Sequence, residues 1–141
     1  MEIAVIGTGS WGTALAKTLG DKGHEVCMWG RNAQEVLSIN DHHENLRYLK
    51  GITLPRNVVA TTELYGALDG RKLVVTVVPS HAMREVMTQA MVAMHKDAIV
   101  VSASKGIENG TLQTMDELLA EVLPPAIGAR TVFPHSTHEP S

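Results

Sequence analysis

The sequence predicts an α/β fold, a doubly wound and mostly parallel sheet, and three observations predict it. Short segments rich in Val and Ile alternate with longer segments of helical spacing, which is the rhythm of βαβ units. Several of the short segments are apolar on successive residues, as in "LVVTVV", and that suits parallel strands covered by helices on both faces. Glycines at positions 7, 9 and 12 fall between the first strand segment and the first helix segment, where a dinucleotide-binding turn needs them.

Taken in order, the apolar run at 2–6 predicts the first strand, and the small/apolar segment at 11–21 predicts a helix that Gly23 punctuates. "EVCMW" at 25–29 is the second strand, followed by a helix at 33–42; "VVAT" at 58–61 is the third. The fourth and fifth strands are expected at 73–78 and 98–102, with helices at 81–94 and, after Gly110, at 111–122. In the helix at 81–94, Met83, Met87, Ala90, Met91 and Met94 share one face, which predicts a core stripe rather than a ligand patch.

The chain has 141 residues, enough for one domain with a core of its own. With 44% hydrophobic but only 4% aromatic residues, that core is expected to be aliphatic. The single cysteine, Cys27, cannot form an intrachain disulfide and is expected to be a buried thiol. A net charge of -3 argues against general affinity for nucleic acid. The start carries Glu2 and no basic segment, and the run "LVVTVVP" falls well short of the roughly 18 residues of a membrane span, so no membrane insertion and a cytoplasmic location are expected. The domain is expected at 1–123, because beyond Leu123 four of the six prolines occur and 124–141 reads as an irregular tail.

The glycine turn directs the functional reading. Gly7 permits the turn out of the strand, Gly9 lets a pyrophosphate approach the backbone, and Gly12 lets the helix pack closely on the sheet. The phosphates would meet N–H groups from Ser10 and Trp11 onward, with the helix dipole in their favour. An acidic residue about 20 positions on would mark NAD; the sequence has Arg31 in "MWGRN" instead. A guanidinium suits a 2′-phosphate, so NADP(H) is expected over NAD(H). Ligands of such sheets bind beyond the carboxyl ends of the strands, which adds Pro79 in "VPSHAMR" and Lys105 in "SASKGIEN". His42 with His43, and His135 with His138, lack partners for a zinc site, and no metal is expected. No nucleophile stands at a recognisable elbow, which argues against a hydrolase.

With these residues in view, the sequence resembles the N-terminal domain of bacterial-type glycerol-3-phosphate dehydrogenases. "GTGSWGTALA", "WGRN", "HENLRYLKGITLP", "VVPSHAMREV" and "SASKGIENGTLQTM" carry the resemblance, in order, across 1–123. It implies a Rossmann-type domain and reduction of dihydroxyacetone phosphate to sn-glycerol 3-phosphate by NADPH or NADH, a step of glycerophospholipid synthesis. It also implies that Ser10 and Trp11 lie against the cofactor phosphates, that Arg31 meets the adenosine end with Tyr48 bordering the pocket, and that Lys105 touches both cofactor and substrate.

The resemblance stops at "ARTVFPHSTHEPS", where the family has an "SGPSFA"-like segment, so no substrate contact falls on Phe133 or His135. The family's helical C-terminal domain, which holds the catalytic lysine, has no counterpart here, and no catalytic residue is assigned. A truncated chain, a natural fragment or a frameshift would each explain this ending. The expectation is a cofactor-binding half with almost no turnover, in which exposed apolar surface allows a homo-oligomer. The alternatives are a stand-alone dinucleotide-binding regulatory module and the cofactor domain of a related two-domain hydroxy-acid reductase.

Overall fold

The computed structural model describes residues 1–103 together with Glu117, Glu121 and Val122. Five strands, β1 (Glu2–Ile6), β2 (Glu25–Trp29), β3 (Val58–Thr61), β4 (Leu73–Thr76) and β5 (Ile99–Ser102), form one sheet in the order β3-β2-β1-β4-β5. All neighbours are parallel. Ile6 pairs with both Trp29 and Thr76, so the chain leaves β1, β2 and β4 at one level of one edge. The strand order reverses between β1 and β4, and ligands of open α/β sheets bind at that crevice.

Helices α1 (Ser10–Asp21), α2 (Ala33–His42), α3 (Leu64–Leu68) and α4 (Ser80–Ala90) divide between the two faces. Ile3, Val5, Val26 and Met28 pack with Ala16 of α1 and with Val36 and Ile39 of α2. Ala4, Ile6, Cys27 and Trp29 face the other way, onto Leu68 of α3 and Met83 and Met87 of α4. Alternate residues of the same strands thus enter different cores, which is why the strands are apolar throughout. The methionine stripe is buried as expected: Met83, Met87, Ala90 and Met94 are in the core and Met91 packs at its margin.

Several boundaries move for local reasons. β4 ends at Thr76 rather than 78, because Gly7 leaves the sheet beside it; the Val77 N–H still reaches the Ile6 carbonyl at 3.0 Å, but no ladder continues. β5 begins one residue late, since Ala98 closes a turn onto the His95 carbonyl at 2.9 Å. α1 and α4 each start one residue early, and α4 ends at Ala90, with Ala93 N–H folding back to the Ala90 carbonyl. α3 was not expected; five residues are too few to show a period. The predicted helix at 111–122 is described only at Glu117, Glu121 and Val122, which are helical. Gly110, Lys105 and 124–141 lie outside the described residues. No helix among the described residues is long and apolar enough to cross a membrane.

Cys27 is buried, as its sequence context predicts. Burial pushes its thiol pKa up, opposed in part by the Arg71 guanidinium. A raised pKa depletes the thiolate, which is the reactive species. Labelling by an aromatic disulfide at pH 8 is expected to be at least about tenfold slower in the native chain than in urea; equal rates would contradict the buried placement.

Candidate functional site

The turn after β1 is shaped by close contacts. Gly7 has φ +137°, in the region that favours glycine, and a Cβ there would meet Val77 Cγ2 at 2.8 Å. A Cβ on Gly12 would stand 2.7 Å from the Gly7 carbonyl oxygen and 2.8 Å from Val77 Cγ2. These two glycines are therefore required by the fold itself. Gly9 differs: a Cβ there would meet nothing within 4 Å, and its backbone is ordinary extended chain at φ -71°, ψ -174°.

Gly9 is also the N-cap of α1, and no side chain caps that end. The N–H groups of a first helical turn have no partner within the helix, and Gly9, immediately before that turn, lines a cleft of about 350 Å³. Gly7, Gly9, Trp29, Arg31, Tyr48 and Pro79 are among its lining residues, contributed by the last residue of β2, by the loops beyond β1, β2 and β4 and by the segment after α2.

A buried polar network fixes this cleft. Asn32 caps α2, its Oδ1 accepting from the N–H groups of Gln34 and Glu35 at 2.9 and 3.1 Å. The cap orients α2 so that Glu35, buried despite its charge, accepts from Thr8 Oγ1 at 2.7 Å and from Arg47 Nη1 at 3.1 Å. Asn45 is fully buried; its Nδ2 donates to the Thr8 carbonyl at 2.7 Å and to Thr13 Oγ1 at 2.9 Å. Its Oδ1 accepts from the N–H groups of Arg47 and Tyr48, both at 3.3 Å. Ser10 Oγ donates to the Tyr48 carbonyl at 3.0 Å. The segment 44–51 is thereby tied to the glycine turn at three points, and Tyr48 is held against the cleft with the Arg47 guanidinium 5.2 Å from its ring centroid.

Of the residues singled out from the sequence, Gly7, Gly9, Arg31, Tyr48 and Pro79 come together around the cleft, and Gly12 is buried beneath it. Ser10 and Trp11 stand at the start of α1 outside that lining, with Trp11 59% exposed. Arg31 is already engaged: its Nη2 donates to Glu85 Oε1 of α4 at 2.8 Å, and its guanidinium lies 5.8 Å from the Trp29 ring centroid. Sequence reasoning did not find Glu35, Asn45, Gly30 or Glu85. Gly30 is needed because a Cβ there would lie 2.4 Å from Thr8 Oγ1. Among the described residues no three His, Cys, Asp or Glu side chains gather as a metal site.

The model of the NAD-dependent glycerol-3-phosphate dehydrogenase N-terminus matches residues 2–132. A glycerol-3-phosphate dehydrogenase [NAD(P)+] of Myxococcus xanthus is 51% identical over 124 residues, covering 88% of this chain and 37% of the relative. That of Bacillus licheniformis is 44% identical over 123 residues, covering 87% and 36%. The crystal structure of a glycerol-3-phosphate dehydrogenase from Coxiella burnetii superposes with a TM-score of 0.83 at 30% identity, covering 94% of this chain and 39% of that one. The chain thus spans little more than a third of the length of these relatives.

Proposed function

The chain belongs to the NAD-dependent glycerol-3-phosphate dehydrogenase family, matching its N-terminal part, and from that premise we propose that it is the cofactor-binding half of an enzyme interconverting dihydroxyacetone phosphate and sn-glycerol 3-phosphate. One observation carries the cofactor assignment: a glycine that no protein atom requires, Gly9, caps an otherwise uncapped helix at the floor of the cleft. A glycine without an internal reason is accounted for by a ligand backed directly onto the chain.

In this reading the pyrophosphate lies over Gly9, where the N–H groups of α1 and the helix dipole supply the positive end. The adenosine end extends toward Arg31, with Tyr48 as one wall and Pro79 bordering the opposite side. Ser10 acts by clamping the Tyr48 carbonyl; with Trp11 it completes the edge of the phosphate site. The cofactor-binding domain is proposed at residues 1–123. The bound nicotinamide supplies hydride chemistry, while the chain supplies binding and orientation. The proposed contact of Lys105 with cofactor and substrate rests on the resemblance of "SKGIE" alone.

We assign NADP(H) preference over NAD(H) to Arg31, whose guanidinium matches a 2′-phosphate. Titration of the 141-residue chain with each cofactor, followed by the fluorescence of Trp29, tests both parts. Saturable binding is expected, and Arg31→Gln is expected to weaken NADPH about tenfold or more, the loss of one charge-assisted contact, with NADH changed less than about threefold. A folded chain that binds neither cofactor would overturn the assignment; equal losses for both would remove Arg31 from the 2′ position.

A further inference from the structure

We propose that Glu85 is a specificity-determining residue: by occupying Arg31 it holds the selectivity of this cleft for NADPH over NADH below what Arg31 alone would set. The inference rests on the cofactor reading above and adds to it the residue that moderates it. Arg31 follows β2 and Glu85 lies on α4, 54 positions apart in sequence, yet Nη2 and Oε1 are 2.8 Å apart. Among the described residues Arg31 is the partner of the Glu85 side chain. The guanidinium is held from below by the Trp29 ring, and that ring is itself anchored, its Nε1–H donating to the Thr62 carbonyl at 3.0 Å. Arg31 is thus fixed in place, with one donor committed to a carboxylate. Glu85 stands at the rim, beside Val86 and one turn from His81, both of which line the same cleft as Arg31.

Both side chains of the pair are more than half exposed, at 55% and 63%. Such a pair adds little to stability, so its placement at the cleft has no structural necessity, and a stronger ligand can displace it. A 2′-phosphate carries about -1.5 to -2 charges. To reach Arg31 it must take the place of Glu85 or sit beside it, against a like charge on the same guanidinium. NADH presents a neutral 2′-hydroxyl there and meets no such opposition. The carboxylate therefore acts on one cofactor and leaves the other nearly untouched.

Glu85→Gln keeps the shape and removes the charge. In the 141-residue chain it is expected to tighten NADPH about five- to tenfold, the size of a unit-charge interaction at contact distance between well-solvated groups, while NADH changes less than about twofold. Glu85→Ala should behave alike, and circular dichroism should show both variants folded, as exposed substitutions allow. In an Arg31→Gln background the same change should alter NADPH affinity less than about twofold, because Glu85 acts through Arg31. An unaltered NADPH-to-NADH ratio in Glu85→Gln overturns the proposal, as does a full-sized effect without Arg31. Failure of the wild-type chain to bind either cofactor would instead overturn the functional reading itself.

Discussion

Replacing Gly9 by alanine is expected to abolish cofactor binding without disturbing the fold. The new Cβ would meet no protein atom within 4 Å, and the backbone angles there suit any residue. Alanine is a poorer N-cap than glycine but restricts the unfolded chain, and because the two effects largely offset, thermal unfolding should stay within about 4 °C of wild type. The methyl group would instead project where the pyrophosphate is proposed to lie, and the dissociation constants for NADPH and NADH should both rise about 100-fold or more. Gly12→Ala provides the contrast. Its Cβ would strike the Gly7 carbonyl oxygen at 2.7 Å and Val77 Cγ2 at 2.8 Å. Overpacking of this kind costs about 1–3 kcal/mol, against about 1 kcal/mol gained from the better helix former, so the chain should melt several degrees lower. One glycine then answers to the ligand and the other to the fold. NADPH binding by Gly9→Ala at wild-type strength would remove the pyrophosphate from this position.

The same distinction explains what was legible in the sequence. The five strands could be located because burial on both faces leaves a continuous apolar signature, and β2 and β3 match their expected limits. Gly7, Gly9 and Gly12 could be read because their spacing is local. The network beneath them could not: Thr8 meets Glu35 across 27 positions and Asn45 across 37. A buried carboxylate in the first turn of α2 looks, in sequence, like any solvated glutamate. Gly30 is invisible for a similar reason, since the atom that excludes a side chain there belongs to Thr8, on a different strand's loop. Arg31 was found from its place after β2, but its engagement by Glu85 depends on how α4 lies against the cleft. The segment "HENLRYLKGITLP" stood out only through resemblance; the structure supplies its reason, because Asn45 and Tyr48 fasten it to the turn.

Asn45 is accordingly the substitution with the greatest expected effect on stability. Asn45→Ala deletes four hydrogen bonds from a fully buried side chain. Among the described residues it leaves the Thr8 carbonyl with only the longer 3.4 Å contact from Thr13 Oγ1, and it opens a void. Unsatisfied buried partners and a cavity together cost about 2–4 kcal/mol, which at this chain length lowers the melting temperature by about 5–12 °C. Because the tie between the glycine turn and the Tyr48 segment is lost, cofactor affinity should fall as well, even at temperatures where the variant is folded. Asn45→Asp separates the donor from the shape. It keeps the oxygen that accepts from Arg47 and Tyr48, but places a carboxylate oxygen where Nδ2 stands 2.7 Å from the Thr8 carbonyl. Facing that carbonyl, the new carboxyl is held protonated to a higher pH than in the unfolded chain. A raised native pKa gives stability that is present below the unfolded carboxyl range near pH 4 and lost as pH rises through the native value. Asn45→Asp should therefore be as unstable as Asn45→Ala at pH 7 and recover, relative to Asn45→Ala, toward pH 4. Parallel melting curves for the two variants across that range would mean that the Asn45 amide donor does not hold the turn.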